Sequence, residues 1–244
     1  MQSQLNISRV LAGTIGLVLL GPLPAVANPD GVVYNAPPPP GGIGAPTGRR
    51  DGGASRGNCP DYGDLAALVP VTDGTVWGQT TAAQPTLWFH LPAAITTEQP
   101  MELVLNNGAD ETLYLGTVAV DVEAGNIAIA LPSTVTLPIG EPHYWTLALY
   151  CDREQPASSV FVSGTIERVA ADGVEPLLAE TVPSLTLAQD YANAGVWHDA
   201  LTVLGALQQT ETAEDSQTLW TMLLEQVGLE AAAAARIQPC CEAE

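Results

Sequence analysis

Apolar and polar residues alternate along the middle of the chain, from about Leu65 to Val169. Turn-forming residues such as Asn106-Asn107-Gly108 and Pro138-Ile139-Gly140 separate the alternating runs. Residues two apart share one face of a strand, so each run predicts a strand with one buried face. The in-phase residues are Leu87, Phe89, Leu91; Met101, Leu103, Leu105; Ile127, Ile129, Leu131; Trp145, Leu147, Leu149, Cys151; and Val160, Val162, Ile166. About seven such strands predict a β-rich (α+β) protein built on an antiparallel, immunoglobulin-like β-sandwich over residues 59–172.

The pattern becomes helical in the C-terminal part of the chain, where we place a helical segment over residues 183–237 and a tail over 238–244. Ser184 is the expected N-cap of a first helix that ends at Gly195. Two further helices are predicted over 196–207 and 216–227. The first two resemble a single tetratricopeptide hairpin, a unit that needs about three copies to be stable alone. We therefore expect three short helices to pack on the sandwich, with Trp197 as the buried anchor.

The N-terminus has the pattern of a secretory signal. Arg9 precedes an apolar run of eleven residues, Val10–Leu20, and the small residues Ala25-Val26-Ala27 follow. The run is too short for a membrane span, which needs about 20 residues. We therefore expect residues 1–27 to be removed between Ala27 and Asn28. The mature protein is then periplasmic or secreted, with no stable membrane insertion.

A Pro- and Gly-rich leader follows over residues 28–58 and includes Pro37-Pro38-Pro39-Pro40. Such a stretch buries little apolar surface, so it predicts a disordered tether. Its second half carries Arg49, Arg50 and Arg56. An alternative is that this basic segment lies against the acidic body of the same chain.

The charge is strongly acidic: 27 Asp and Glu against 7 Arg and no Lys, a net charge of −20. Such a field repels phosphate backbones and anionic lipids, which excludes nucleic acid as a partner. Either solubility outside the cell or attraction of a basic partner explains this charge.

Four cysteines, Cys59, Cys151, Cys240 and Cys241, suggest disulfides in an exported chain, and four allow three pairings. Cys59 with Cys151 is the first expectation, because a bond between the adjacent Cys240 and Cys241 closes a strained ring. A zinc site needs four suitably spaced ligands. No histidine lies near Cys240 and Cys241 in sequence, so no metal residue is assigned.

Six segments occur in the order seen in the domain-of-unknown-function family 928, which the chain resembles over about residues 44 to 230. They are GAPTGRRDGGASRGNCP, LAALVP, PTLWFHLP, HYWTLALYCD, VFVSGTIERV and GVWHDALTVLGAL. The resemblance implies an exported cyanobacterial protein without an established activity, and it supplies no catalytic residue. One departure is His143-Tyr144-Trp145, where the family usually has Tyr-x-Trp. It affects a corner at which a Tyr hydroxyl can bond the backbone in immunoglobulin-like domains.

No motif assigns a catalytic or cofactor-binding residue. Gly53-Ala54-Ser55-Arg56-Gly57 matches the hydrolase string G-x-S-x-G, but it lies in a glycine-rich stretch instead of a strand-to-helix turn. The histidines His90, His143 and His198 have no nucleophile arranged around them in the sequence, which favours structural or solvated roles. The acidic turns at Asp110-Glu111 and at 121–126 lack the twelve-residue calcium-loop pattern. Outward-facing Trp77 and Trp88 would suit a sugar, although Trp is more often buried.

These features favour a non-catalytic binding or assembly module of the cell envelope, whose partner is another envelope or secreted protein. One alternative is a hydrolase acting on envelope polysaccharide, which needs two carboxyl groups about 5–9.5 Å apart in a cleft. Another is a passive structural component.

Overall fold

Nine strands and four α-helices lie in the part of the chain that the computed structural model describes, residues 31–41, 48–52, 59–118, 121–152, 154, 157–170, 182–208 and 213–241. The signal segment, Ala27, Asn28 and the string at 53–57 lie outside the described residues. The strands are β1 (Ala66–Ala67), β2 (Val71–Thr72), β3 (Thr75–Thr80), β4 (Thr86–Leu91), β5 (Met101–Asn106), β6 (Thr112–Val118), β7 (Gly125–Ala130), β8 (Pro142–Tyr150) and β9 (Ser159–Arg168). The helices are α1 (Leu185–Asn193), α2 (Trp197–Leu207), α3 (Ala213–Glu225) and α4 (Glu230–Ala233), and a 3-10 turn spans Pro60–Tyr62.

The strands form two sheets. The smaller sheet has the order β1-β4-β7 and the larger has the order β2-β3-β9-β8-β5-β6. Neighbouring strands are antiparallel except β3 and β9, which pair in parallel with Trp77 opposite Thr165. The protein is therefore β-rich with two sheets, as predicted, and the alternating runs became β4, β5, β7, β8 and β9.

A single hydrophobic core lies between the two sheets. It joins the inward residues of β4 and β7 to those of β5, β8 and β9. Trp145 on β8 meets Phe89 on β4 edge-on, with ring centroids 5.7 Å apart. Gly164, opposite Trp145 in the register, leaves room for that ring, because a Cβ there would lie 2.4 Å from it. Shape as well as apolarity thus fixes the contact between the sheets.

The helices cover the outer face of the smaller sheet and form a second hydrophobic core there. Trp88 of β4 points away from the first core and meets Trp220 of α3 edge-on, at 5.1 Å between ring centroids. Gly205 of α2 admits the Trp88 ring, since a Cβ there would lie 2.4 Å from it. Among the described residues, no helix combines the length and the apolar composition needed to cross a bilayer.

The helix ends follow the predicted local chemistry. The Ser184 hydroxyl accepts a hydrogen bond from the Leu187 backbone N–H at 3.1 Å, so Ser184 is the N-cap of α1. The chain leaves α1 through Gly195 at φ +79°, a conformation that glycine adopts without steric cost. The described residues also contain the short helix α4, which the sequence did not predict.

Cys59 and Cys151 form a disulfide with Cα atoms 5.7 Å apart. Cys59 precedes the first strand and Cys151 directly follows β8. The bond therefore joins the start of the sheet region to its middle, as expected from the sequence.

The described parts of the leader, expected as a tether over 28–58, contact the body. Val32 is buried in the second core, and its carbonyl accepts from the Gln226 side chain at 2.8 Å. Arg49 exchanges two backbone hydrogen bonds of 2.8 Å with Ser163 of β9. Arg50 donates to the carbonyls of Val227 and Gly228, just beyond α3, at 2.6 and 3.3 Å. For residues 48–52, this geometry matches the alternative in which the basic segment lies against the body.

Candidate functional site

In the described part of the chain, the outer face of the larger sheet contacts solvent over β6, β5, β8 and the first half of β9, whereas the helices cover the outer face of the smaller sheet. At the β3 end of the same face, the paired Trp77 and Thr165 are buried. We call the solvent-contacting part the open face. Two adjacent rows of side chains cross this open face from β6 to β9. Leu115 is 60% exposed and Phe161 is 39% exposed, and Leu113, two residues before Leu115, is 43% exposed. In the order β6, β5, β8, β9, the first row is Leu115, Val104, Thr146 and Ser163. The second row is Thr117, Glu102, Ala148 and Phe161. The face thus carries large apolar side chains in contact with solvent.

This open face carries little charge in a chain of net charge −20. Glu102 is the one charged residue in the two rows, and its carboxylate accepts from the Tyr150 hydroxyl at 3.2 Å. Arg49 of the leader lies over the Phe161 ring, 4.9 Å from its centroid, at the far end of a row. The face is therefore a candidate interaction surface, since large exposed apolar patches rimmed by polar groups often mark such sites.

A second candidate is the junction between α2 and the end of β3, where a cleft of about 250 Å³ lies beside Asp199. The Asp199 carboxylate accepts hydrogen bonds from the hydroxyls of Thr80 and Thr81, at 2.7 and 2.6 Å. Burial raises the pKa of Asp199, although these hydrogen bonds act in the opposite direction. The Tyr191 hydroxyl also bonds Thr81, and burial raises the pKa of Tyr191, with the nearby Asp199 charge adding to the effect.

His198 precedes Asp199 and is almost completely buried at the same junction. Burial lowers its pKa from 6.5 to about 4, against a hydrogen bond with the Thr86 backbone that favours the charged ring. Nε2 has no hydrogen-bond partner and lies close to Gly78, where a Cβ would be 2.9 Å away. The ring is therefore neutral at pH 7 and packs against the backbone of β3.

Apart from His198 Nε2, the polar groups named at this junction form hydrogen bonds that hold the layers together. The Thr202 hydroxyl accepts from the Trp88 indole at 3.2 Å and donates to the His198 carbonyl at 2.7 Å. Asp199 is occupied by two threonine hydroxyls. These hydrogen bonds join α2 to the end of β3, so the junction orients α2 on the sheets.

Acidic residues gather at a third place, a cleft of about 400 Å³ beside α4. Asp51, Asp64 and Glu230 line it together with His90, and the three acids are exposed. Glycoside hydrolysis needs one carboxyl group kept protonated by apolar surroundings beside a second, ionised one. The three acids of this cleft contact solvent instead of an apolar enclosure.

Asn126 organises the wall behind this cleft and does not belong to an exposed calcium loop. It is fully buried, and its Nδ2 donates to the carbonyls of Ala232 and Ala235, at 2.7 and 3.2 Å. Its Oδ1 lies 3.0 Å from Nδ1 of His90. Because the amide nitrogen donates to two carbonyls, Oδ1 is the acceptor and His90 Nδ1 carries the proton. A polar residue inside an apolar strand was the signal that sequence reasoning overlooked.

The other singled-out residues are structural in the described region. Trp77 and Trp88 are 1% and 5% exposed, so the idea that they face outward towards a sugar is wrong. His143 is buried, with Nδ1 2.9 Å from the Glu141 carbonyl, and thus bonds the backbone at the corner before β8. Trp197 is fully buried, and its indole donates to the Leu68 carbonyl at 2.7 Å.

Cys240 and Cys241 are paired with each other. Nowhere in the described ranges do three His, Cys, Asp or Glu side chains gather closely enough to hold a metal ion.

Sequence reasoning also missed the exposed leucines of β6. In Thr112–Val118 the apolar pattern Leu-Tyr-Leu suggests that Leu113 and Leu115 face the core. The structure turns Gly116 and Val118 inward and leaves both leucines outside. The run contains no charged residue, which is the signal that points to an unusual edge strand.

The fold and surfaces define a β-rich protein of two sheets, in which the C-terminal helices cover the smaller sheet and, among the described residues, much of the outer face of the larger sheet contacts solvent. The chain belongs to the family described as Domain of Unknown Function (DUF928), whose model matches residues 51–237. This confirms the resemblance drawn from its sequence segments. No curated protein and no solved structure matches the chain.

Proposed function

We propose that this protein is a non-catalytic protein-binding module of the cell envelope, and that the outer face of the larger sheet is its contact surface. The observation that carries the proposal is the exposure of Leu113, Leu115 and Phe161 on a sheet face that is nearly free of charge. The envelope location rests on the signal pattern of residues 1–27.

The chemistry of the face favours a protein partner. The exposed leucines of β6, Leu113 and Leu115, offer aliphatic contact area, which suits the apolar side chains of a protein better than the hydroxyl groups of a sugar. The turns that border the face at Asp110-Glu111 and at Asp152 are acidic. A partner with an apolar centre and basic residues around it complements both features.

The polysaccharide hydrolase is supported less well. Its best place is the cleft lined by Asp51, Asp64 and Glu230, where all three acids are solvated. A passive structural role does not require the apolar open face, which exposes surface that water disfavours.

We further propose that the two sheets form an immunoglobulin-like sandwich. The order β1-β4-β7 corresponds to strands A, B and E of such a domain, and β9-β8-β5-β6 corresponds to G, F, C and C′. On this correspondence the open face is the one that carries strands G, F, C and C′.

The test uses the full mature chain, bound to a support and exposed to an extract of the native envelope. Each retained protein is then purified and its affinity for the chain measured alone. Leu115→Glu with Phe161→Glu should weaken binding of the true partner by about tenfold or more, since central apolar contacts dominate interfaces. Val71→Glu is the matched control, because Val71 is 45% exposed on β2, at the opposite edge of the same sheet. Equal binding of the partner by the unchanged chain, the double variant and the Val71→Glu control would refute the proposed surface.

A further inference from the structure

The two sheets have four edges, and three of them are short or covered. On the β1 edge, the leader covers the strand: the Ala67 N–H donates to the Arg50 carbonyl at 2.8 Å. On the β7 edge, the C-terminal tail covers the strand. The Asn126 N–H donates to the Arg236 carbonyl at 2.7 Å, and the Gln238 N–H donates to the Asn126 carbonyl at 2.8 Å. At one end of the larger sheet, β2 has two residues.

The fourth edge is β6, which is different in kind. It is seven residues long and is the terminal strand of the larger sheet, with no further strand beyond it in the described ranges. Leu113, Leu115 and Thr117 are exposed along it. A terminal strand offers backbone N–H and C=O groups to any extended chain that reaches it.

The sequence of β6 lacks the charges and prolines that usually prevent such pairing. Natural edge strands carry lysine, proline, inward-pointing charges, a bulge or a very short length. Thr112–Val118 reads TLYLGTV and contains no charged residue and no proline. A register shift opposite Leu105 and Asn106 places a bulge at Leu113, so the regular part of the edge is 114–118. This uncharged stretch is suited to accept a strand.

The charges at the two ends of β6 indicate what kind of strand fits. Asp110 and Glu111 precede it, Asp121 and Glu123 follow within five residues, and all four are exposed. The sequence has no Lys or Arg between Arg56 and Arg153. In a pair formed by two copies of this chain, acidic ends would face acidic ends in either strand direction, which is unfavourable. A strand with basic ends is attracted instead.

We propose that β6 binds an extended segment of another protein as an added strand, with apolar residues at alternate positions and Lys or Arg at both ends. The backbone groups of β6 supply the hydrogen bonds, and Leu113 and Leu115 supply apolar contacts for the alternate side chains. This inference rests on the proposed binding function and names the partner's chemistry.

The probe is a synthetic peptide of about nine residues, in which valine and threonine alternate, with lysines at both ends. A matched peptide of the same charge is N-methylated at alternate residues, so that it cannot form the backbone ladder. A third peptide carries glutamates at its ends. Binding to the full mature chain is measured by calorimetry, and amide exchange locates the contact.

We expect the lysine-ended peptide to protect the amides of β6 and to bind about tenfold more tightly than either matched peptide. Leu115→Lys should reduce its affinity by a similar factor, whereas Val71→Lys on β2 should not. Raising the salt to about 0.5 M should reduce the difference between the lysine- and glutamate-ended peptides, since salt screens exposed charges.

Equal binding of the N-methylated peptide, or protection at a site other than β6, would overturn the inference. So would self-association of the chain that protects β6 without any peptide, because a second copy would then be the occupant. If the peptide fails while an envelope partner still depends on Leu115 and Phe161, the strand inference is wrong and the proposed function stands.

Discussion

Trp197 provides the sharpest test of how the helices are held on the sheets. It is fully buried, meets the Tyr34 ring edge-on at 4.8 Å between centroids, and donates its indole N–H to the Leu68 carbonyl at 2.7 Å. Removing a buried Trp side chain costs about 3–5 kcal/mol. A buried carbonyl left without its donor costs about 1–3 kcal/mol more. Because water entering the cavity offsets part of the second cost, we expect Trp197→Ala to lower the free energy of unfolding by about 4 kcal/mol.

The contribution of the Trp197 hydrogen bond to stability can be separated from that of the side-chain volume. Trp197→Phe keeps an aromatic ring and removes the donor. Trp220→Phe is the matched control, because Trp220 is also fully buried but its indole nitrogen has no hydrogen-bond partner. The difference between these two variants should therefore be about 1–3 kcal/mol, in favour of Trp220→Phe.

The assay is urea unfolding followed by far-ultraviolet circular dichroism, with amide exchange to locate the loss of stability. Protection should fall in α1, α2 and α3 before it falls in β8. A cost below about 1 kcal/mol for Trp197→Ala, or no difference between the two Phe variants, would refute the view that Trp197 anchors the helices.

Four further predictions concern separate parts of the molecule. Removing the bond between Cys59 and Cys151, 92 residues apart, should cost about 4 kcal/mol by releasing a long loop in the unfolded chain; urea unfolding of the double Ser variant would show a small change if this is wrong. Burial lowers the pKa of His198 from 6.5 to about 4. The contribution of the neutral ring to the free energy of unfolding is therefore complete above pH 6.5, declines as the pH falls, and is lost once the pH has fallen through about 4. His198→Gln should therefore flatten this part of the stability–pH curve by up to about 3 kcal/mol, and an unchanged curve would contradict the assignment. Asn126→Ala should release the C-terminal tail to carboxypeptidase, whereas equal resistance would mean that other contacts hold it. N-terminal sequencing of protein recovered outside the cytoplasm should begin at Asn28, and an intact Met1 would exclude cleavage.

Local chemistry in the sequence determined much of the secondary structure. Alternation in Thr86–Leu91 and Met101–Asn106 predicted strands with the correct buried face, because successive side chains of a strand point to opposite sides. Ser184 and Gly195 predicted the two ends of α1, because capping depends only on neighbouring backbone groups. The hairpin between β2 and β3 could be predicted from local sequence as well, because Asp-Gly favours a tight turn. In the structure, Asp73 and Gly74 both have positive φ and form this turn.

Only the tertiary structure decided which surfaces are covered. Leu113 and Leu115 alternate as core residues would, yet the register of β6 on β5 places them outside. The parallel pairing of β3 with β9 joins residues almost ninety positions apart, and no local pattern specifies such a contact. No local pattern predicted that the Arg50 guanidinium would donate to the Val227 carbonyl, just beyond the end of α3. Register and long-range pairing depend on the whole core, so the open face and the open edge of β6 became visible only once both sheets were assembled.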